Sequence, residues 1–500
     1  FMPLRLSPDA AGEFLASLFT VLVISLSLSW VFAMIQTPFN ARFFYRKERP
    51  EGEKKQTYDS KLYHVFGGFL KWGIRNKYPF TIGAFVVLFV ALWSFRFVTV
   101  DFMPQMAYNQ LYVEYYLPEG ADIKAVEADA EAIQDSIRKM DGVHAVSAAV
   151  GRPAARYLLM RHMPKGGTNY CDFIVEAKEN DEIPKLIHRV EDFLNRNYPD
   201  AFARVKTYGP AFSDADVEVQ FSGPDPAVLK KMANQAKKIF MEEKGTKDVI
   251  DTWRNQAKKV VPHYSVERAQ PLGLSRSDMS NSILVATNGM PIGAVYEGDK
   301  MLPVMLKTAN NVAENIDELK NIPVWGMLSM NSVPLSQIID TMKVEWEYQQ
   351  VNRLNNQRSI KAQCDVTDGY TAAKVQEAIK DKIAAINLPD GYEMHWKGDT
   401  ARSKEANDGL FKFLPLSLGL MLIIIIGLFN NIRQPIIIFL VVPFAFVGIV
   451  LGLVSTGVYL TFAGIVGALG LIGMMIKNAV VLLDEINFNL RAGKKRLKAT

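Results

Sequence analysis

Apolar residues gather along this chain in five runs, residues 14–35, 80–98, 410–429, 435–455 and 461–483. Each approaches the roughly 20 residues that a helix needs to cross a bilayer. Residues 99–409, between the second and third runs, are polar and change period repeatedly. The pattern excludes both a soluble protein and one wholly embedded in the membrane.

The polar stretch reads as strands alternating with amphipathic helices. Residues 111–117 form a strand by their β-branched and aromatic content, and Pro118-Glu119-Gly120 turns the chain. Residues 123–140 then place Ile123, Val126, Ala130, Ile133 and Ile137 on one helix face, and 143–150 return as a strand. The same unit recurs with strands at 170–176 and 203–208 around a helix at 183–197. It recurs at 217–221, 226–243 and 249–255, and again at 361–366, 372–386 and 392–397. Four such units, taken in pairs, predict two ferredoxin-like subdomains. The gap 260–359 carries its own helix at 275–287, strands at 292–297 and 301–307, and an extended stretch at 343–351. It reads as an α+β subdomain inserted into the second ferredoxin-like unit. Residues 151–168 fit no element; glycine, proline and aromatics in so long a connection mark a functional or mobile loop.

Charge orients the spans. Residues 41–79 carry ten Lys and Arg, among them Arg46, Lys47 and Arg49, and the tail 488–500 carries Arg491, Lys494, Lys495, Arg496 and Lys498. Short basic loops stay cytoplasmic, which puts 99–409 outside and the loop with Arg433 inside. Within the first loop, Leu62, Val65, Phe66, Phe69, Leu70 and Trp72 recur at helical spacing. They predict an amphipathic helix, lying in the membrane interface or packed on a partner domain.

Overall composition, 49% hydrophobic with a mean hydropathy of +0.04, conceals this segregation. The net charge of +5 lies mostly beside the spans, so no nucleic-acid partner is expected. Cys171 and Cys364 are too few for a disulfide framework or a Cys-based zinc site and are expected to stay buried thiols. The histidines contain no i,i+4 pair, and no glycine-rich loop leads a strand into a helix with a phosphate-binding lysine. No enzyme activity, metal site or cofactor is expected. Phe1 follows no charged leader and residues 498–500 run on without a stop, so the chain is expected to be a piece of a longer one.

The candidate chemistry lies inside the membrane. Lys477 follows an uncharged run from Leu460 to Ile476, with Asn478 beside it, and Gly470, Gly473 and Asp484 share its helix face. A lysine in a span costs roughly 2.5–3.5 kcal/mol on insertion scales and usually faces a partner or water. The alternative is an anchor whose ammonium snorkels to the cytoplasmic interface. Gly464, Gly467, Gly470 and Gly473 form a smooth stripe suited to close helix packing. Arg96 and Lys412 read as interfacial anchors.

The run from Gly470 through Lys477-Asn478 to Asp484-Glu485 resembles the lysine-bearing helix of resistance–nodulation–division efflux pumps, acriflavine-resistance-type inner-membrane permeases. Residues 435–443 resemble the preceding helix, and Glu267 to Gly273 with Ser277-Asp278 resemble the start of that family's docking subdomain. The resemblance implies a C-terminal half: a membrane α-helical bundle plus a large periplasmic α+β domain of ferredoxin-like porter subdomains with an inserted docking subdomain. Its implied parts are transmembrane helices at 1–40, 80–99, 408–430, 434–456 and 460–487, with a cytoplasmic loop at 41–79 and a basic tail at 488–500. One porter subdomain occupies 100–215, a second 216–262 and 359–400, and the docking subdomain 263–358.

The resemblance further implies a proton-motive-force-driven exporter of hydrophobic or amphiphilic compounds in a Gram-negative inner membrane, working as a homotrimer with a periplasmic adaptor and an outer-membrane channel, amid membrane lipids. Lys477, Asn478 and Asp484 are then the proton-relay candidates, with Lys477 the counter-ion of aspartates elsewhere. Residues 151–168 fall at the family's loop between drug pockets, so His144, Arg156, Tyr157, Met160 and Phe173 are substrate-binding candidates. The phenylalanine cluster of multidrug members is absent, and Met160 with Met163 admits a Cu(I) or Ag(I) exporter or simply adaptable apolar filler. A scaffold or binding module without transport, and an auxiliary of protein export, are the competing readings.

Overall fold

The computed structural model describes residues 2–8, 10–44, 61–101, 108–156, 158, 161–209, 213–308, 316–326 and 332–493. Contacts divide the chain into two units: Phe1–Leu117, Ile123–Thr252 and Val351–Thr500 form one, Pro118–Asp122 and Trp253–Gln350 the other.

In the larger unit, strand Gln110–Tyr116 turns Leu111, Val113 and Tyr115 into a core. It lies between Tyr170–Ala177 and Phe202–Thr207, and Val143–Val150 flanks Tyr170–Ala177 on the far side, all antiparallel. Helices Ile123–Arg138 and Ile183–Asn197 bury Val126, Ala130, Ile133 and Ile137, and Ile183, Leu186, Val190 and Leu194, against that core. The spacing of three and four residues puts each set on one stripe, and burial contributes about 1.5–3 kcal/mol per large aliphatic side chain. The strand order, second, third, first, fourth, is ferredoxin-like.

The second sheet repeats this topology although its halves are far apart in sequence. Strands Thr246–Asp251, Gln357–Val366, Val217–Gly223 and Glu393–Lys397 follow one another across it, again antiparallel. Helix Pro226–Glu242 starts at Asp225, whose carboxylate accepts from the Ala227 amide at 2.8 Å, with Pro226 in the first turn. Helix Ala372–Ala384 starts likewise at Thr371. Cys171 and Cys364 are free and fully buried, one in each sheet.

The smaller unit pairs Gln256–Tyr264 with Ile339–Tyr348, carries helix Arg276–Ala286 with a Ser275/Asp278 capping box, and adds hairpin Met290–Glu297/Lys300–Leu306. Its limits differ from the expected 263–358. Gln256–Tyr264 zips to Ile339–Tyr348 and so joins this unit, whereas Gln357–Val366 belongs to the second sheet. The expected strand at 249–255 accordingly divides: the observed strand Thr246–Asp251 ends before Trp253, which packs on Tyr348 of the smaller unit.

Among the described residues five helices are long and apolar enough to span a membrane: Ala16–Phe44, Lys77–Phe97, Gly398–Phe429, Arg433–Thr456 and Phe462–Arg491. The third starts ten residues before the expected 408, because strand Glu393–Lys397 runs straight into it through Gly398. The fourth tightens into a 3₁₀ turn at Val442–Phe444, around Pro443. Ile425, Ile438 and Ile476 from the last three helices share one core. At one end of these helices, the Asp101 amide donates to the Leu460 carbonyl at 3.1 Å and the Leu460 amide to the Thr99 carbonyl at 2.8 Å. At the other, Gln434 donates to the Asn487 side chain at 3.0 Å. Helix Lys61–Arg75 leaves Val65, Phe66 and Leu70 exposed, while Phe69 and Trp72 meet Phe80 of the next helix.

Candidate functional site

Helix Phe462–Arg491 begins at Thr461, whose hydroxyl accepts from the Gly464 amide at 3.1 Å. One face packs through Phe462, Val466 and Ile476. The other leaves Gly467, Met474, Lys477, Val481 and Asp484 exposed, and Asn478 at its margin. A Cβ added at Gly467 or Gly473 would meet nothing within 4 Å, so the surface around Lys477 is smooth and uncovered. Neither Lys477 nor Asp484 forms a hydrogen bond or ion pair with a described residue. Seven residues, about 10 Å of helix rise, separate them. Lys477 and Asp484 therefore share one helix face without touching, and Asn478 borders it.

The substrate candidates do not converge. Phe173 is fully buried in the first sheet's core, edge-to-face with Tyr115 at 6.4 Å. This corrects its reading as a pocket wall: Cys171, Phe173 and Val175 alternate onto the helix-covered face, opposite Val113 and Tyr115. His144 is exposed at the register shift that opens Val143–Val150, and Arg156 is exposed. Tyr157 and Met160 lie outside the described residues.

The opposite face of the same sheet holds a buried ionic layer that the periodicity did not announce. Tyr112, Glu114, Tyr116, Tyr170, Asp172 and Arg204 all point there, each under 9% exposed. Arg161, from the connection after Val143–Val150, donates to both Asp172 oxygens at 2.9 and 2.5 Å and lies 4.0 Å over the Tyr112 ring. Arg204 donates to both oxygens of Asp365, on the second sheet, at 2.5 and 2.8 Å, and to the Asp214 carbonyl at 2.5 Å. Lys206 adds a bond to Asp365 at 2.9 Å. His162 pairs with Asp214. Burial alone would raise the Asp365 carboxyl, but Arg204 and Lys206 hold it well below the ordinary range. Burial pushes the Tyr112 phenol up to about 12. The signal in sequence is cross-strand charge: register sets Glu114 opposite Arg204 and Tyr112 opposite Lys206.

Among the described residues no three His, Cys, Asp or Glu are grouped to hold a metal ion. The layer can bind and orient charge, and it couples the two lobes, since breaking one partner strands a buried charge at a cost of about 3–5 kcal/mol.

Residues 1–500 match the AcrB/AcrD/AcrF family. The swarming motility protein SwrC of Bacillus subtilis (strain 168) is 21% identical over 97% of this chain and 46% of its own length. The nickel-cobalt-cadmium resistance protein NccA of Alcaligenes xylosoxydans xylosoxydans is 23% identical over 99% of this chain and 47% of its own. The crystal structure of a heavy metal efflux pump superposes with a TM-score of 0.71 at 17% identity, over 88% of this chain and 46% of that one. The chain spans about half the length of these relatives. Its full-length match, twin ferredoxin-like lobes and apolar helices place it together: the chain belongs to the AcrB/AcrD/AcrF family of resistance–nodulation–division (RND) permeases.

Proposed function

We propose that the chain supplies half of a proton-driven RND exporter, with Lys477 as the fixed intramembrane cation of its relay. The observation that carries this is a lysine held within an apolar helix on a smooth, uncovered face, without a described partner. A buried carboxylate brought beside that ammonium has its charged form favoured, so proton uptake by it rearranges the pair. Asn478 and Asp484 flank the exchange. The lobes lie on the periplasmic side, the two sheets being porter subdomains and the smaller unit a docking subdomain. Export proceeds from the inner membrane or periplasm of a Gram-negative cell through a homotrimer with an adaptor and an outer-membrane channel. A scaffold has no need of an intramembrane lysine on a glycine-lined helix face.

The cargo is an amphiphile, and the aromatic and charged layer around Tyr112 and Asp172 supports one carrying positive charge. A second reading, divalent metal export, is favoured by NccA, a nickel-cobalt-cadmium resistance protein. The test expresses the intact protein in cells lacking their own pumps. Accumulation of a fluorescent cationic dye is followed with and without an uncoupler, and growth is scored on nickel, cobalt and zinc. Uncoupler-sensitive dye exclusion supports amphiphile export. Metal tolerance without dye exclusion transfers the cargo to the second reading, and neither effect defeats the export reading for both.

A further inference from the structure

Glu114 and Asp172 stand directly opposite each other on neighbouring strands, 7% and 0% exposed. Like charges so placed repel, and a cation between them offsets that repulsion. Arg204 approaches Glu114 at 3.9 Å, but its guanidinium is committed to Asp365. The cation at Asp172 comes instead from outside any helix or strand. Arg161 forks onto both Asp172 oxygens, lies 3.9 Å from Glu114 and stacks its guanidinium on Tyr112. Apart from the Ala154 amide, at 3.1 Å, this is the hydrogen bonding that Asp172 receives.

The fit is incomplete on both sides. Among the described residues Arg161 Nε has no partner, and neither has the hydroxyl of Tyr170, a side chain with no exposed surface. Burial raises the Tyr170 phenol first, and the charges of Glu114 and Asp172 raise it further, so it sits against the same acids. The slot therefore has two carboxylates, a spare hydroxyl and aromatic faces from Tyr112, Tyr116 and Tyr170, and its cation is the end of a loop side chain.

We propose that this slot is a binding site for planar organic cations, amidinium or guanidinium groups carried on an aromatic body, and that Arg161 is its built-in occupant, displaced when such a cargo binds. The planar fork matches the two Asp172 oxygens as Arg161 does. The tyrosine faces favour a delocalised cation, and the Tyr170 hydroxyl takes the N–H that Arg161 leaves unplaced. A metal ion is less suited, since only two carboxylates converge and no third His, Cys, Asp or Glu is grouped with them among the described residues. The proposal deepens the export reading and rests on it for its biological role; binding itself stands on the geometry.

The test measures benzamidine binding to the purified intact protein by calorimetry and by the shift in melting temperature, with benzamide as the neutral isostere. Wild type should bind benzamidine weakly and benzamide not at all. Arg161→Ala should bind on the order of tenfold more tightly, because a tethered cation competes at roughly millimolar effective concentration. Arg161→Ala with Asp172→Asn should lose the gain. Arg161→Lys keeps the charge without the fork and serves if the alanine variant does not fold; it should also bind more tightly than wild type. Benzamidine binding unchanged or weakened in both Arg161 variants, or indifferent to Asp172→Asn, overturns the proposal. So does Asp172-dependent binding of zinc in place of benzamidine. Binding is read without transport, so a failure here leaves proton-driven export standing, and a failure of export leaves the slot standing.

Discussion

Single residues reveal where burial and charge conflict. Asp248 takes a positive φ of 53° between strand residues, and one carboxyl oxygen is buried with no partner among the described residues. Burial, then the nearby charge of Asp365, pushes its carboxyl up to about 6 from 3.8, against the pull of Lys247. The folded state therefore binds its proton more tightly than the unfolded one, so stability is fully present below about pH 4 and falls as pH rises toward 6. Asp248→Asn keeps the shape and tolerates the left-handed backbone. It should leave the melting temperature unchanged near pH 4 and raise stability by about 1–2 kcal/mol at pH 7.5; thermal melts at both pH values check this. Residue-scale legibility was uneven. Lys477 stood out because an apolar run surrounds it. Phe173 was misplaced because an aromatic residue in a strand does not by itself reveal which face it takes. The Arg204–Asp365 pair was hidden, its members lying 161 residues apart in sequence.

At the scale of elements, periodicity carried most of the fold, since a helix stripe and a strand alternation are local properties. What it missed was the passage from soluble lobe to membrane. Helix Gly398–Phe429 opens with polar residues that hydropathy assigns to a loop, yet they are helical because Gly398 lets strand Glu393–Lys397 turn directly into them. Gly398 has a φ of 77°, and an added Cβ would lie 2.9 Å from the Asp216 carbonyl and 3.1 Å from both the Ala215 carbonyl and the Glu218 amide. The Asp399 amide donates to that Asp216 carbonyl at 3.2 Å. Gly398→Ala combines backbone strain with a clash against backbone that cannot yield. It should destabilise the junction by about 2–3 kcal/mol. Limited proteolysis near residue 398 should speed up in the variant, whereas Gly391→Ala, also at a positive φ (84°) but with open space around it, should show the smaller effect.

At the scale of the whole molecule, two lobes repeat one topology, and the second lobe's last strand becomes a membrane helix that shares a core with the lysine helix. Under the proposed relay, a rearrangement at Lys477 would reach the lobes through this shared core. The relevant measurement is uncoupler-sensitive export of a cationic dye by the intact protein and by Lys477→Ala, at equal membrane expression by immunoblot. If Lys477 couples protons to transport, wild type excludes the dye and the variant does not, with residual export down at least about tenfold, the scale of losing one essential charge interaction. If the variant exports as wild type does, Lys477 is a snorkelling anchor and the relay assignment is wrong.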